Sequence, residues 1–288
     1  MQIGFIGLGN LGTPIAENIL EQHNQLFVFN RTAAKAQPLV NKGAVLCATV
    51  KELAQQCDVI FTMVSDDAAL NHITKSEDGL AANMKEGAIH ISMSTILPAT
   101  AIYLDSLHHV HRNIYVAAPV MGRPEAARAK KLNFLVSGKP VTVETITPLL
   151  TAAGAAGVWN IGTATEAANV AKLCSNFLII AAIEAMAEGI NLAQKSGIDA
   201  TAWMNMITST LFASPIYKNY GNILLQQAYE PAAFSLKLGL KDVNLINEQA
   251  AEKNTEMPLG GVLQQQLQEC VNKGFGEHDW TAIALALK

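Results

Sequence analysis

GFIGLGNLGTP, Gly4 to Pro14, is the stretch from which the rest of the chain is read. Met1 to Ile6 alternate and are apolar enough for a buried strand, and Ile15, Ile19 and Leu20 then recur at helical spacing. Gly7, Gly9 and Gly12 therefore fall at a strand-to-helix turn. Gly7 permits the tight turn, Gly9 lets a pyrophosphate approach the backbone, and Gly12 lets helix and strand pack closely. The helix N-terminus adds N–H groups and a partial positive charge for phosphates. The same glycines would serve an ordinary tight turn. The order strand, turn, helix favours a dinucleotide site made by Gly7, Leu8, Gly9, Asn10, Leu11 and Gly12.

The second strand, Leu26 to Phe29, ends in Asn30-Arg31-Thr32. An acidic residue at this point holds the ribose 2′-hydroxyl of NAD. Here Asn30 is neutral and Arg31 is a cation that can grip a 2′-phosphate in a bidentate fork, with Lys35 one turn along. Thr32 also reads as a helix N-cap. The expected cofactor is NADP(H) in preference to NAD(H).

Strand and helix patterns then alternate. Val45 and Leu46 lead to a Thr49-capped helix ending near Cys57, and Val59 to Val64 form an apolar strand. Asp66 or Asp67 caps the next helix, and Ala88 to Ile91 form a strand. Pro98 sits at a first helical position, and Ile114 to Ala117, Phe134 to Val136 and Val158 to Ile161 complete the strands. This rhythm predicts a mostly parallel sheet covered on both faces. Ligands of such sheets bind beyond strand C-termini, which directs attention to Met63-Val64-Ser65, Ser92 to Pro98 and Pro119 to Pro124.

From Thr163 the rhythm stops. Thr163 to Ser196 read as one helix of about 45–50 Å that bridges two domains or two subunits. Helices near 199–212, 236–253, 258–273 and 279–287 follow. The expected fold is an α/β Rossmann-type domain, residues 1–162, joined by a long interdomain helix to an all-α domain, residues 163–288. A helix that is apolar on more than one face predicts a homodimer or higher homo-oligomer.

Composition narrows the function classes. Of 288 residues, 50% are hydrophobic and 15% charged, with a net charge of −4. With no basic patch, nucleic acid is excluded as a partner. The scattered Cys47, Cys57, Cys174 and Cys270 read as small hydrophobes of a reducing compartment. His108, His109 and His111 read as a solvated face rather than a metal site, and no metal is expected. With no basic segment before the first strand, and with Glu184 and Glu188 interrupting Phe177 to Ile190, the expectation is a cytoplasmic protein without a membrane span.

Asn169, Lys172 and Asn176 fall at i, i+3 and i+7 and share one helical face. A lysine near the start of an apolar helix is poorly placed for the helix dipole. A snorkelling surface lysine is the bland reading. Its place at a domain boundary, where clefts form, favours function.

Taken together, these segments resemble the β-hydroxyacid dehydrogenase family along essentially the whole chain. GFIGLGNLGTPIAENI is similar to its dinucleotide turn, and FNRT to the version in its NADP-using members. SMSTILP, Ser92 to Pro98, resembles its substrate signature D-x-S-T-x-x-P, and APVMGRPEAA, Ala118 to Ala127, its A-P-V-S-G-G loop. AKLCSN, Ala171 to Asn176, is similar to its catalytic-lysine segment, and LKD, Leu240 to Asp242, to a lysine-bearing helix that closes over the cofactor. The resemblance implies hydride transfer between a nicotinamide and a small 3-hydroxy acid or aldehyde acid, with Lys172 as general acid/base. Asn176 would orient substrate and lysine. Ser94, Thr95 and the loop Met121-Gly122-Arg123 would hold a carboxylate, and Lys241 would lie beside nicotinamide and substrate. Met63, Val64 and Thr95 would also contact the cofactor.

Three departures bear on the substrate rather than the reaction type. Ser92 stands where the signature has Asp, Met121 removes a hydroxyl donor, and Arg123 adds a carboxylate clamp. The helix bearing Lys172 also lacks the family's preceding glycines. Imine reductases share the architecture but carry another residue at the lysine position, and 6-phosphogluconate dehydrogenases have a longer helical domain. A non-catalytic nucleotide-binding regulator is the alternative of a different class, and Lys172, Asn176 and Lys241 argue against it.

Overall fold

The computed structural model describes residues 1–23 and 25–287. The chain divides into two compact units, Met1–Lys172 and Leu173–Lys288. The first is Rossmann-like. Its strands are β1 (Ile3–Ile6), β2 (Phe27–Phe29), β3 (Val45–Leu46), β4 (Val59–Thr62), β5 (Ile89–Ser92), β6 (Ile114–Ala117), β7 (Val120–Met121), β8 (Leu132–Ser137) and β9 (Ala155–Gly162). They form one sheet in the order β3-β2-β1-β4-β5-β6-β8-β7, with β9 also paired to β8. The strands from β3 to β6 are parallel, β8 runs antiparallel to β6 and β7, and β9 is parallel to β8. The order reverses at β1 and β4, so their C-terminal ends flank the crevice where such sheets take ligands.

The helices of this unit are α1 (Gly12–His23), α2 (Gln37–Val40), α3 (Val50–Gln56), α4 (Asp67–Lys75), α5 (Leu80–Asn83), α6 (Pro98–Val110), α7 (Pro124–Arg128) and α8 (Pro140–Ala152), with a 3-10 turn at Ala33–Ala36. Thr49 Oγ1 accepts from Glu52 N–H at 3.0 Å and caps α3. Asp66, not Asp67, caps α4, accepting from Ala69 N–H at 2.8 Å. Asp67 instead accepts from Leu97 N–H at 2.9 Å, tying α4 to the entry of α6. Pro98 opens α6, where the missing N–H costs nothing. Thr32 occupies the cap position of the 3-10 turn, but its side chain makes no capping bond.

Packing at the first turn is tight. Gly7 has φ +102°, and a Cβ there would lie 2.1 Å from Met63 O. At Gly12 a Cβ would lie 2.0 Å from Gly7 O. Helix α1 can therefore pack on β1 only through a residue without a side chain. Gly12→Ala is expected to lower stability by about 2–3 kcal/mol, the cost of overpacking without room to relax. Urea unfolding of the variant, followed by circular dichroism, checks this.

The histidines at 108, 109 and 111 do not form the one solvated face expected of them. His109 and His111 are exposed, but His108 is fully buried on the inner side of α6. Thr62 Oγ1 lies 2.8 Å from His90 Nε2, and His90 Nδ1 lies 2.9 Å from His108 Nε2. His108 Nδ1 meets Asn113 Oδ1, and Asn113 Nδ2 donates to Ala81 O at 2.9 Å. That last bond orients the chain. Asn113 offers oxygen to His108, so His108 Nδ1–H donates and its Nε2 accepts from His90 Nδ1–H. His90 Nε2 then accepts from the Thr62 hydroxyl, and the tautomers follow from the network. Burial pushes His108 down to about 4 and His90 well below its ordinary value. The segment Ala88 to Ile91 gave no hint of this, because His90 sits among apolar neighbours.

The second unit is helical. Its elements are α9 (Ala167–Lys195, begun in the first unit), α10 (Ala200–Ser209), α11 (Pro215–Gln226), α12 (Leu236–Glu252), α13 (Pro258–Asn272) and a 3-10 helix, Trp280–Ala286. Helix α9 starts at Ala167, four residues later than the expected Thr163, and its 29 residues span about 43 Å. The segment expected as an α-helix at 279–287 is 3-10, with Asp279 as its cap. Helix α11 had no counterpart in the sequence reading. Ile180, Ile183, Met186, Leu240, Leu263 and Leu267 build the core, and Trp280 meets Tyr220 and Phe234 edge-on. Glu184 is buried on α9, and burial together with Glu188 pushes its carboxyl up to about 7. Among the described residues, α9 alone is long and apolar enough to cross a membrane, by length and composition.

Candidate active site

The crevice at β1 and β4 is a groove of about 760 Å³. Gly7, Leu8 and Gly9 form its floor, Asn30, Arg31, Thr32 and Lys35 one lip, and Met63, Val64 and Ser65 the opposite wall. A Cβ on Gly9 would meet nothing within 4 Å, so this face of the turn is open to a phosphate. Asn10 is exposed on the same turn, and Leu11 packs against the core of the unit. Asn30 acts as a fastener. Its Oδ1 accepts from Leu8 N–H at 2.9 Å while its Nδ2 donates to Thr32 O at 2.9 Å. A carboxylate at position 30 would serve the first bond but not the second. Arg31, Thr32 and Lys35 are exposed at the lip.

These residues fit a dinucleotide on structural grounds: a cleared glycine cradle at the start of α1, and cations rather than a carboxylate at the end of β2. The wall is set by the chain itself. Met63 N–H donates to Ile6 O at 2.9 Å. Val64 N–H donates to Ser94 Oγ at 2.9 Å, so Ser94, fully buried, links the loop after β5 to the loop after β4. Thr95 is half-buried beside it.

Lys172 lies in the first turns of α9, 9% exposed, with its Nζ 3.4 Å from Met121 Sδ. Met121 ends β7. Gly122 follows with φ +143°, and a Cβ there would lie 2.5 Å from Leu132 Cδ2, so the turn needs glycine. Arg123 precedes α7, with Nε 3.9 Å from Glu125. Asn18 on α1 donates to Ala127 O at 2.9 Å and Ala153 O at 3.3 Å. The helix that starts at the glycine turn thus also braces α7 behind the Met121 loop.

In the helical unit, Asn176 Nδ2 donates to Asp242 Oδ2 at 2.6 Å, and Lys241 Nζ lies 2.8 Å from Asp242 Oδ1. Asp242 is buried, 1% exposed, and joins the two residues that the sequence reading had singled out separately. No role was assigned to it from sequence. The signal available was an acidic residue on the apolar side of an amphipathic helix, a position that demands a partner.

Two family models account for nearly all of the chain. The NAD binding domain of 6-phosphogluconate dehydrogenase matches residues 2–165. The NAD-binding domain of NADP-dependent 3-hydroxyisobutyrate dehydrogenase matches residues 167–287. An uncharacterized oxidoreductase of Bacillus subtilis is 37% identical over 288 residues, 100% of each chain. Glyoxylate/succinic semialdehyde reductase 2 of Arabidopsis thaliana is 27% identical over 100% of this chain and 80% of its own. The solved structure of Psf3 in complex with NADP+ and 2-OPP matches with a TM-score of 0.90 at 25% identity, covering 99% of this chain and 100% of that one. An imine reductase of Myxococcus stipitatus shares the fold alone, at a TM-score of 0.67 and 17% identity over 100% and 99% of the chains.

Proposed function

The chain belongs to the β-hydroxyacid dehydrogenase family of NAD(P)-dependent oxidoreductases acting on CH–OH groups, and from that premise we propose its reaction: the NADP(H)-preferring interconversion of a small 3-hydroxy acid and its aldehyde or oxo acid, with Lys172 as general acid/base. The observation that carries this reading is a nearly buried lysine 3.4 Å from the loop that follows β6, in the same unit as the glycine turn. When bound, the nicotinamide supplies or accepts the hydride. Gly7 to Gly12 hold the pyrophosphate, and Arg31 with Lys35 hold a 2′-phosphate. Lys172 keeps a proton at Nζ for the carbonyl oxygen in reduction and takes it back from the hydroxyl in oxidation. Thr95 and the loop from Met121 to Arg123 bind the substrate's acid group, with Ser94 fixing the wall behind them. In the helical unit, Asn176 and Lys241 are held together through Asp242.

A panel of short aldehyde acids and 3-hydroxy acids, assayed with NADPH and NADP, tests the reaction. Turnover of the acids excludes a non-catalytic regulator. Imine reduction without carbonyl reduction would favour an imine reductase, against which Lys172 argues.

Arg31 carries the cofactor preference. Arg31→Ala is expected to weaken NADPH binding by about 1.5–3 kcal/mol, the range for a charged hydrogen bond, with little change for NADH. Fluorescence titration of both nucleotides measures it, and equally tight binding of both by the unaltered protein would refute the preference. We also place the protein in the cytoplasm and expect at least a homodimer through the helical unit. The exposed Leu178 and Leu192 on α9 support that assembly. Light scattering at micromolar concentration decides it.

A further inference from the structure

The start of α9 is capped from a distant strand. The first N–H groups of a helix lack partners within it, and a serine or threonine just ahead of the helix is the usual local remedy. Thr165 stands two residues before Ala167, but its hydroxyl is engaged elsewhere, donating to Asp105 Oδ2 on α6 at 2.9 Å. The Ala168 N–H donates instead to Ser137 Oγ at 3.1 Å, and that hydroxyl donates in turn to Thr165 O at 2.7 Å. Ser137 is the last residue of β8 and is 1% exposed. Helix geometry carries this contact to the lysine. Ala168 and Lys172 are four residues apart, on one face and about 6 Å along the axis. Ala168 is itself fully buried, in one core with Leu104, Tyr115 and Ala117. Strand β8 also holds the other side of the lysine's contact, because its Asn133 pairs with Met121 of β7. A single strand therefore carries both the turn beneath Lys172 and the residue whose sulfur lies 3.4 Å from Nζ.

Resting on the reaction proposed above, we infer that Ser137 is a positioning residue for Lys172. Its hydroxyl grips the first turn of α9 by one N–H and by the carbonyl just ahead of it. Rotation of the helix about its axis and sliding along it are both restrained one turn from the lysine. Thr165, held through its carbonyl and its hydroxyl, is the second point of the same anchor. Without these bonds only the apolar contacts of Ala168 remain, and such contacts have no direction. A proton donor must sit within hydrogen-bond reach of the reacting oxygen, and a small misplacement costs rate steeply.

Single-turnover oxidation of bound NADPH by succinic semialdehyde separates position from folding. The amplitude counts competent molecules, and the rate reads the chemical step. Ser137→Ala is expected to lower the rate by about tenfold or more at full amplitude. Thr165→Val removes only the Asp105 bond and should lower it by about three- to fivefold, while Thr165→Ser, which keeps the hydroxyl, should leave it unchanged. NADPH affinity, followed by fluorescence, should be the same in all three. A normal rate in Ser137→Ala, whatever its amplitude, or equal rates in Thr165→Val and Thr165→Ser, overturns the inference. Hydrogen exchange resolved by segment reads the anchor without turnover. Amides from Ala168 to Lys172 should exchange faster in Ser137→Ala than in the unaltered protein, and unchanged exchange there overturns the inference as well. If the unaltered protein does not oxidise NADPH with this aldehyde while exchange differs as expected, the proposed reaction fails and the anchor stands.

Discussion

Replacing Lys172 by arginine is expected to lower kcat by at least about 10²-fold, and alanine to do the same, the lower range for loss of general acid catalysis. Addition of hydride to a carbonyl builds negative charge on oxygen. An ammonium beside it both stabilises that charge and delivers a proton. Arginine preserves the first function but holds its protons far too tightly for the second. The Met121 contact sharpens the comparison, because the planar guanidinium also has to fit against a sulfur that now lies 3.4 Å from a compact ammonium. NADPH affinity is expected to stay nearly constant, because the contacts proposed for the cofactor are the glycine turn and Arg31 and not Lys172. Steady-state kinetics with a titration of NADPH separate the two quantities. Near-normal turnover in Lys172→Arg would make the lysine a positioning charge and move the proton donor to water or to Lys241.

Acid weakens the first unit well before its carboxylates are protonated. Unfolded, a histidine takes up a proton near 6.5, whereas folded His108 does so only near 4, and burial holds His90 well below 6.5 too. Between those values the unfolded chain binds more protons than the folded one. The stability from these rings is therefore complete above about 6.5, falls as pH falls, and is lost once His108 itself protonates. From pH 7 to 5 the His108 contribution alone is roughly 2 kcal/mol. Protonation is costly for a geometric reason as well. A second proton on His108 goes to Nε2 and sets two N–H groups face to face across the 2.9 Å contact with His90 Nδ1. Glu184 acts in the opposite sense in the helical unit. Its carboxyl, raised to about 7, favours the folded state below 4.5 and loses that advantage as pH rises through 7. His108→Gln isolates the histidine term. Its urea-unfolding free energy should change less between pH 7 and 5 than that of the unaltered protein. An unchanged slope would refute the neutral pair.

The parts legible in sequence were those where local chemistry admits few solutions. Gly7 and Gly12 could be read because any side chain there strikes backbone oxygen. Thr49, Asp66 and Pro98 could be read because helix starts leave groups that need a cap or a residue lacking N–H. What escaped depends on contacts between residues far apart in sequence. The histidines at 108, 109 and 111 look alike in a string, and only packing of α6 on β5 sends one inward. Asp242 looks like a surface acid until Asn176 and Lys241 close on it. Helix α11, PIYKNYGNILLQ, carries a glycine and a polar first half that mask its periodicity. Gly221 lies against Met204, where a Cβ would come 2.3 Å from the flexible Cε end of that side chain.

The placement of the aromatic indoles decides how any of this can be watched. The chain has three tryptophans. Trp159, on edge strand β9, is 57% exposed and already in water in the native state. Trp203 and Trp280 belong to the helical unit, Trp280 at 3% exposure between Tyr220 and Phe234. Intrinsic emission therefore reports the melting of the helical unit and is nearly blind to the Rossmann-like one. An acid titration read by fluorescence alone would record the Glu184 trend, with its opposite sign, and miss the histidine transition. Backbone probes, or amide exchange resolved by segment, see both, and the two signals should part company below pH 6.5.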